Sequence, residues 1–549
     1  MSEISKCVTE SGESTQINMR VSSLKMPSLK INALSNLLTL GANIIVGLLL
    51  LPAVLSHLGE KQFGIWMLVT SFVGYFGMFR FGVSTGVLRY VPLYRGQGQS
   101  DKVSEVISTG MAFYLLIGAV IFLFSALCAD YIAAFFKGGP ELATLVWLCG
   151  LAAAIECPSL IFDAAMRSYE AFWLVNIITI VLAVIRAGVL YAAVLVGYGL
   201  ICMGWIQVVF SVLALAANWI AFEFCCPDVR LVTRKIGLPI LKMLLVYGIV
   251  IVIEGAAGTV AIESPKLVVG KVISLEAVGL FGAVWYLMLY YQRVIFSLTR
   301  VLMPRFSFLS GQDAHADIQR LFFLSSRYST IAAGAIALLL WVFGPSFLLL
   351  WLKDDNIKQS FFALAILAGG NMVFLSHRIS VDLLFGLGKQ KELAVFAIIE
   401  AMAVFTLCVG LSHKYGLTGI AIGAAVPIAL VRGVGQARYV CRLVGVSFWK
   451  YYNNCIFKPW VISIILATTA WGFGITRLVD GWLSIIVASG LIMLAYSVVT
   501  YLTVIKNDEK LQLKNGLATF MNFVFAKLAL ILLMPRKVRN ENTSGISDL

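Results

Sequence analysis

The chain has 549 residues, 60% of them hydrophobic and only 13% charged. A soluble domain carries about 25% charged residues, so this composition excludes one, and apolar runs of about 20 residues, long enough to cross a bilayer core of about 30 Å, recur from end to end. The formal net charge of +14 does not point to nucleic acid, because the basic residues gather in alternate loops as membrane orientation requires; a β-barrel is excluded because its strands are runs of about 10 residues of alternating polarity.

In chain order, residues 1–30 are polar and read as a cytoplasmic N-terminal tail. They hold no cleavable signal sequence, because the first apolar run is long enough to remain in the membrane. Fourteen spanning segments follow, at roughly 33–55, 64–90, 106–127, 142–166, 173–196, 200–222, 238–260, 279–302, 320–343, 360–385, 392–411, 417–438, 459–477 and 482–505. Segments 1–6 form a first lobe (31–223), a basic linker occupies 224–237, and segments 7–12 form a second lobe (238–440). A loop at 441–458 leads to segments 13 and 14 (459–505), whose uncharged centres suit lipid-exposed accessory helices. The tail, 506–549, contains an apolar stretch at 516–534. Lys527 near its centre, and Arg536, Lys537 and Arg539 after it, favour a helix lying in the interface over a further span.

Loop charges set the orientation. Arg20, Lys25, Lys30, Arg95, Lys102, Arg167, Arg230, Arg234, Lys235, Lys389, Lys391, Arg442 and Lys450 are among the cations of one side. The other side holds only Lys61, Lys137, Lys266, Lys271, Lys353, Lys358, Lys414 and Arg477. This asymmetry predicts that both termini are cytoplasmic.

The lobes repeat one another. Leu58-Gly59-Glu60, Phe63-Gly64-Ile65-Trp66, a helix with Arg80 and Arg89, Val91-Pro92 and Gly96-Gln97 recur as Leu275-Glu276, Gly279-Leu280-Phe281, a helix with Arg293 and Arg300, Met303-Pro304 and Gly311-Gln312. Tyr198-Gly199-Leu200 recurs as Tyr415-Gly416-Leu417, and Asp163 as Asp382. The offsets run from 211 to 219 residues. Such a period marks an internal duplication, and an even number of spans per copy predicts a pseudo-twofold axis along the membrane normal. The expected fold class is an all-α polytopic membrane protein of about 14 transmembrane helices: two six-helix repeat lobes plus two C-terminal helices.

An ionisable residue within a span costs about 2.5–3.5 kcal/mol on insertion scales, so each one is a functional candidate. Arg80, Arg89, Arg186, Arg293 and Arg300 are the candidate cations of a cavity between the lobes. A guanidinium stays charged and forks onto phosphate oxygens, which suits an anionic, phosphate-bearing substrate. Glu156, Glu254 and Glu400, with Asn43 on segment 1, are candidate cavity-lining or proton-coupling groups. Interhelical ion pairs and hydrogen bonds are the competing structural roles for the same residues. No metal or cofactor is expected: the four histidines are far apart, the ten cysteines are scattered, and Gly388-Lys389 lacks the rest of a phosphate-binding loop. The short loops on the far side argue against a membrane glycan polymerase or ligase, so an enzyme is not expected.

Leu58-Gly59-Glu60 through Trp66, the Gly82…Arg89-Tyr90-Val91 run and the two Tyr-Gly-Leu turns resemble the polysaccharide-transporter branch of the multidrug/oligosaccharidyl-lipid/polysaccharide (MOP) superfamily, which includes the O-antigen (Wzx-type) flippases. The resemblance covers about residues 30–505. One departure is Arg80, where the family often has an acid two positions before the glycine matched by Gly82. The resemblance implies a MATE-like pair of lobes in the bacterial inner membrane, moving an undecaprenyl-pyrophosphate-linked oligosaccharide by alternating access. It leaves proton or sodium coupling open, and makes a polysaccharide polymerase and a chain-length regulator the expected partners. By analogy with the fourteen-helix lipid II flippases, segments 13 and 14 would hold the polyprenyl tail. The rival readings are a drug/cation antiporter of the same superfamily and a lipid II flippase.

Overall fold

The computed structural model describes residues 29–80, 82–231, 236–299, 302–475, 481–507, 509 and 510, with the backbone alone at 29–40, 42, 43, 79, 80, 247, 251 and 304. The interfacial helix expected at 516–534 lies outside the described residues. All regular structure among the described residues is helical, as it must be where lipid offers no partner to a free backbone amide or carbonyl.

The first half contains α1 (Leu29–Phe76), α2 (Val83–Gly96), α3 (Ser100–Phe136), α4 (Gly139–Ser168), α5 (Phe172–Val196) and α6 (Leu200–Cys225). The second contains α7 (Leu238–Val272), α8 (Leu275–Thr299), α9 (Leu302–Gly311), α10 (His315–Leu352), α11 (Phe361–Ser376), α12 (Arg378–Gly386) and α13 (Gln390–Ile428), which continues through a π-helical turn, Ala429–Gln436, into α14 (Ala437–Val444). A short α15 (Phe448–Tyr451) leads to the C-terminal pair, α16 (Phe457–Gly472) and α17 (Trp482–Thr503). Eleven helices among the described residues are long and apolar enough to span a membrane. Two of them, Ile44–Phe76 and Gln390–Val444, reverse at Gly59 and Gly416, where the sequence predicts loops between separate spans. Both glycines have positive φ, 81° and 55°, a conformation that costs a side chain too much to serve as a sharp corner.

Duplication is visible in the packing. α1 lies on α5 as α7 lies on α13, α3 on α4 as α10 on α11, and α4 on α6 as α11 on α13. The equivalent helices α3 and α10 even end alike, on Lys137 and Lys353 in the left-handed conformation. The C-terminal pair packs on α10, where Gly334 leaves room for Ser463 and Tyr496. Arg327 of α10 donates to the Asn454 carbonyl at 3.1 Å and pairs with Glu509 beyond α17. One expectation needs correcting: segment 7 does not end near 260. α7 continues to Val272, and Lys266, counted above as a loop charge, is buried within it, 2.5 Å from Glu263. The i,i+3 partner makes the lysine tolerable inside the helix.

Two faces can be distinguished, one holding the end of α6 and the start of α7, called the linker face, and the other opposite it. The lobes are joined at the face opposite the linker. Gly64 and Gly279, the repeat glycines, sit against each other: a Cβ on Gly279 would lie 2.9 Å from the Glu60 carbonyl oxygen, and one on Gly64 would collide with the Leu275 carbonyl. Around this crossing Trp351 donates to the Leu48 carbonyl at 2.7 Å, Asn356 donates to Glu60, and Lys271 donates to the Phe135 carbonyl at 2.9 Å. Gly64→Ala should therefore destabilise the protein by about 1–3 kcal/mol, the usual cost of overpacking. It should lower the unfolding temperature in detergent, whereas Gly96→Ala, with open space around it, should not. Equal melting of the two variants would contradict the close crossing.

Candidate functional site

On the linker face α2 of the first half packs against α7 of the second, Gly86 on Leu244 and Gly82 on Gly248. A cavity of about 960 Å³ lies between α2 and the start of α7 on one wall and the α12–α13 turn on the other. Arg89 comes from the last turns of α2, Lys242 from the first turns of α7, and Lys389 and Lys391 from the turn and the start of α13. Glu392 is the single carboxylate among the lining residues, 3.7 Å from the Lys389 ammonium and accepting a hydrogen bond from the Tyr439 hydroxyl at 3.3 Å. The Arg89 guanidinium lies 5.5 Å from the Tyr90 ring centroid. Arg89, Lys242 and Lys391 are exposed. Four cations against one anion, on two facing walls, suit a multiply charged anion such as a diphosphate.

A second polar region lies inside the first half. Arg186 of α5 donates to Gln207 of α6 at 3.2 Å, Gln207 donates to Glu156 of α4 at 3.4 Å, and Ser211 donates to the same Glu156 oxygen at 3.0 Å. Asp163 pairs with Arg167 one turn along α4. Arg186 borders two cavities, one of about 300 Å³ among α4, α5 and α6 and one of about 320 Å³ that reaches Trp66 and Tyr286 of α8.

The second half holds its charges in pairs. Arg432, in the π-helical turn, pairs with Glu400 of α13 and donates to Gln436 at 2.8 Å, all three buried. Arg378 pairs with Asp382 at 3.0 Å and lies 4.4 Å from the Phe296 ring centroid. Glu254 of α7 is half-buried, with Arg432, Arg378 and Glu400 as its charged neighbours.

The predicted cavity residues are thus placed differently from one another. Arg89 lines the linker-face cavity, Arg186 belongs to the network inside the first half, and Arg293 is exposed on α8 beside Tyr290, 5.9 Å from its ring centroid. The side chains of Arg80 and Asn43, and all of Arg300, lie outside the described residues. Arg89 and Arg186 line different cavities. Lys389 and Lys391 were legible only as topology signals, since both stand in a loop. Gln207, Ser211 and Asn218 carry no charge and gave no signal. Cys225 and Cys226 are free thiols, and burial pushes the Cys226 thiol up, keeping it protonated.

Removing one member of a buried ion pair strands its partner, at a cost of about 3–5 kcal/mol, while replacing both with apolar residues is near neutral. Glu400→Gln should therefore sharply lower the unfolding temperature, and Glu400→Leu combined with Arg432→Met should recover most of it. A Glu400→Gln variant as stable as the parent would show that the pair is not formed.

Comparison with known proteins agrees with this architecture. Residues 57–355 match the family model described as polysaccharide biosynthesis protein. The putative O-antigen transporter of Shigella flexneri is 21% identical over 384 residues, covering 68% of this chain and 88% of that protein. Among solved structures, the inward-facing conformation of a multidrug resistance MATE family transporter of the MOP superfamily superposes with a TM-score of 0.63 at 15% identity, covering 74% of this chain and 96% of that one. The lipid II flippase MurJ, in an inward closed conformation, gives 0.62 at 14% identity, covering 86% of this chain and 99% of that one. With more than half of its length matched by the family model, the chain belongs to the polysaccharide biosynthesis protein family, and it is a multi-pass membrane protein with the fold of the MATE and MurJ structures.

Proposed function

We propose that the protein is a flippase that carries a polyprenyl-diphosphate-linked oligosaccharide, an O-antigen or other surface-polysaccharide repeat unit, across the bacterial inner membrane. The observation that carries this reading is the linker-face cavity: about 960 Å³, walled by Arg89, Lys242, Lys389 and Lys391, beneath lobes that are closed at the opposite face. The charge asymmetry of the loops supports a cytoplasmic position for that face, where such lipids are assembled, and for both termini. In this reading the diphosphate enters between the walls and neutralises them. The lobes then close below it and part at the Gly64–Gly279 crossing, as repeat-built transporters rock about a central site. The lipid-facing pair α16 and α17, packed on α10, suits a role in guiding the polyprenyl tail. Of the three candidate acids, Glu254 is kept for proton coupling, since Glu400 is occupied by Arg432 and Glu156 by Gln207 and Ser211. A polysaccharide polymerase and a chain-length regulator would act on the delivered product.

A cavity walled by cations disfavours a drug or cation exporter, which would need acids there. The likeness to MurJ over most of this chain makes a peptidoglycan lipid precursor the second reading; viability of a deletion strain separates the two. The direct test uses proteoliposomes loaded with lipid-linked oligosaccharide extracted from a deletion strain. Replacing Lys242, Lys389 and Lys391 together with Gln should lower translocation more than tenfold, because each lost charge-assisted hydrogen bond is worth about 1.5–3 kcal/mol. Undiminished translocation would overturn the site.

A further inference from the structure

The polar pocket inside the first half has a different chemistry from the basic cavity, and transport of a diphosphate does not use it. We propose that this pocket is the subsite for the saccharide of the substrate, a neutral polyhydroxyl ligand; the proposal rests on the flippase reading above and assigns Arg186 to the sugar rather than to the diphosphate.

Charge comes first. Arg186 is tied to Glu156 through Gln207, and Arg167 is paired with Asp163. The cavity of about 300 Å³ is lined by two carboxylates, Glu156 and Asp163, and one cation, Arg186, with Arg167 paired to Asp163 behind the wall, whereas the linker-face cavity offers four cations and one carboxylate. A sugar hydroxyl, which both donates and accepts, suits the balanced pocket. Available hydrogen-bonding groups come next. Asn218 of α6 donates to the Ser159 hydroxyl at 2.9 Å, and its Oδ1 is buried with no hydrogen-bond partner among the described residues. A buried acceptor left this way costs about 1–3 kcal/mol, and a rotation of the Asn218 side chain toward the cavity it lines would offer that oxygen to a ligand hydroxyl. Shape agrees too. The cavities of about 300 and 320 Å³ share Arg186 and Ala183 and are otherwise walled largely by apolar side chains, Leu160, Val175 and Phe210 among them. Small-molecule sites have this make-up: mostly apolar walls with a few convergent polar groups, in volumes from about 300 to 1,000 Å³.

The second half supplies an internal control. The residue 214 positions after Arg186, within the spread of the repeat offsets, is Glu400. There the space is taken by the protein itself, since Arg432 lies on Glu400 and on Gln436 and all three are buried. Duplication thus produced one lobe whose interior carboxylate is covered by a guanidinium and one whose interior keeps an open cavity beside Glu156. The pocket also stands in the right place. The Ser168 hydroxyl, at the end of α4, donates to the Val87 carbonyl of α2 at 3.5 Å, two residues from Arg89. The diphosphate at the mouth and the saccharide deeper in the lobe would lie on either side of the α2–α4 contact.

The experiment compares two probes on the full-length protein in nanodiscs: undecaprenyl diphosphate, which has no sugar, and the lipid-linked oligosaccharide extracted from a deletion strain. The parent protein should bind the sugar-bearing lipid at least tenfold more tightly. Asn218→Ala and Gln207→Leu should each erase most of that advantage while leaving the affinity for undecaprenyl diphosphate unchanged, which also shows that the variants fold. Equal affinity of the parent for both lipids, or variants that lose both lipids alike or neither, would overturn the saccharide subsite. A parent protein that binds neither lipid would instead overturn the flippase reading itself.

Discussion

The arrangement depends on a backbone-to-backbone contact between Gly64 and Gly279. No side chain fits at either position, so the second spans of the two lobes meet there as closely as two chains can. With the lobes pinned at the face opposite the linker, the space between them opens at the linker face, beneath a second close approach of Gly82 to Gly248. The cavity owes its position to these contacts and its sign to Arg89, Lys242, Lys389 and Lys391. The contacts around the crossing, Trp351 to Leu48 and Asn356 to Glu60, are single hydrogen bonds. The first is worth about 0.5–1.5 kcal/mol and the second, to a carboxylate, about 1.5–3 kcal/mol, a scale that a bound ligand can offset. The crossing is also backed by an apolar core shared by both halves, with Phe63, Leu68, Val278 and Phe281 buried in it, so opening the gate must expose apolar surface that substrate binding offsets.

Much of the fold was legible because lipid leaves few alternatives. Long apolar runs can only be helices, and the duplicated Gly64 and Gly279 announced two related halves before any packing was known. The same two glycines proved to touch, a relation that sequence offset alone could not give, since an offset says that two positions are equivalent and not that they meet. The corners at Gly59 and Gly416 were also readable in outline, as glycines beside polar residues.

The site was less legible. Sequence reading weighs charges inside spans and discounts charges in loops. It therefore singled out Arg80, Arg89, Arg186, Arg293 and Arg300, of which Arg89 lines the linker-face cavity, and treated Lys389 and Lys391 as markers of orientation. The described residues place Arg186 in a charge-balanced network with Gln207 and Glu156, and Lys389 and Lys391 on the wall of the cavity. Buried charge tends to be neutralised by partners that sequence cannot pair, whereas charge at a cavity mouth stays hydrated and available. Lys266 shows the converse: a residue that looked like a loop charge is buried because Glu263 lies one turn away.

The central claim is that the lobes rest closed at the face opposite the linker and must part there for transport. A disulfide between Glu60→Cys and Asn356→Cys tests it most directly, because these two side chains meet across the closed gate. Oxidation should cross-link the pair in substrate-free proteoliposomes, stop translocation of the lipid-linked oligosaccharide, and be reversed by a reductant. Cross-linked protein that still translocates at the parent rate would contradict the account.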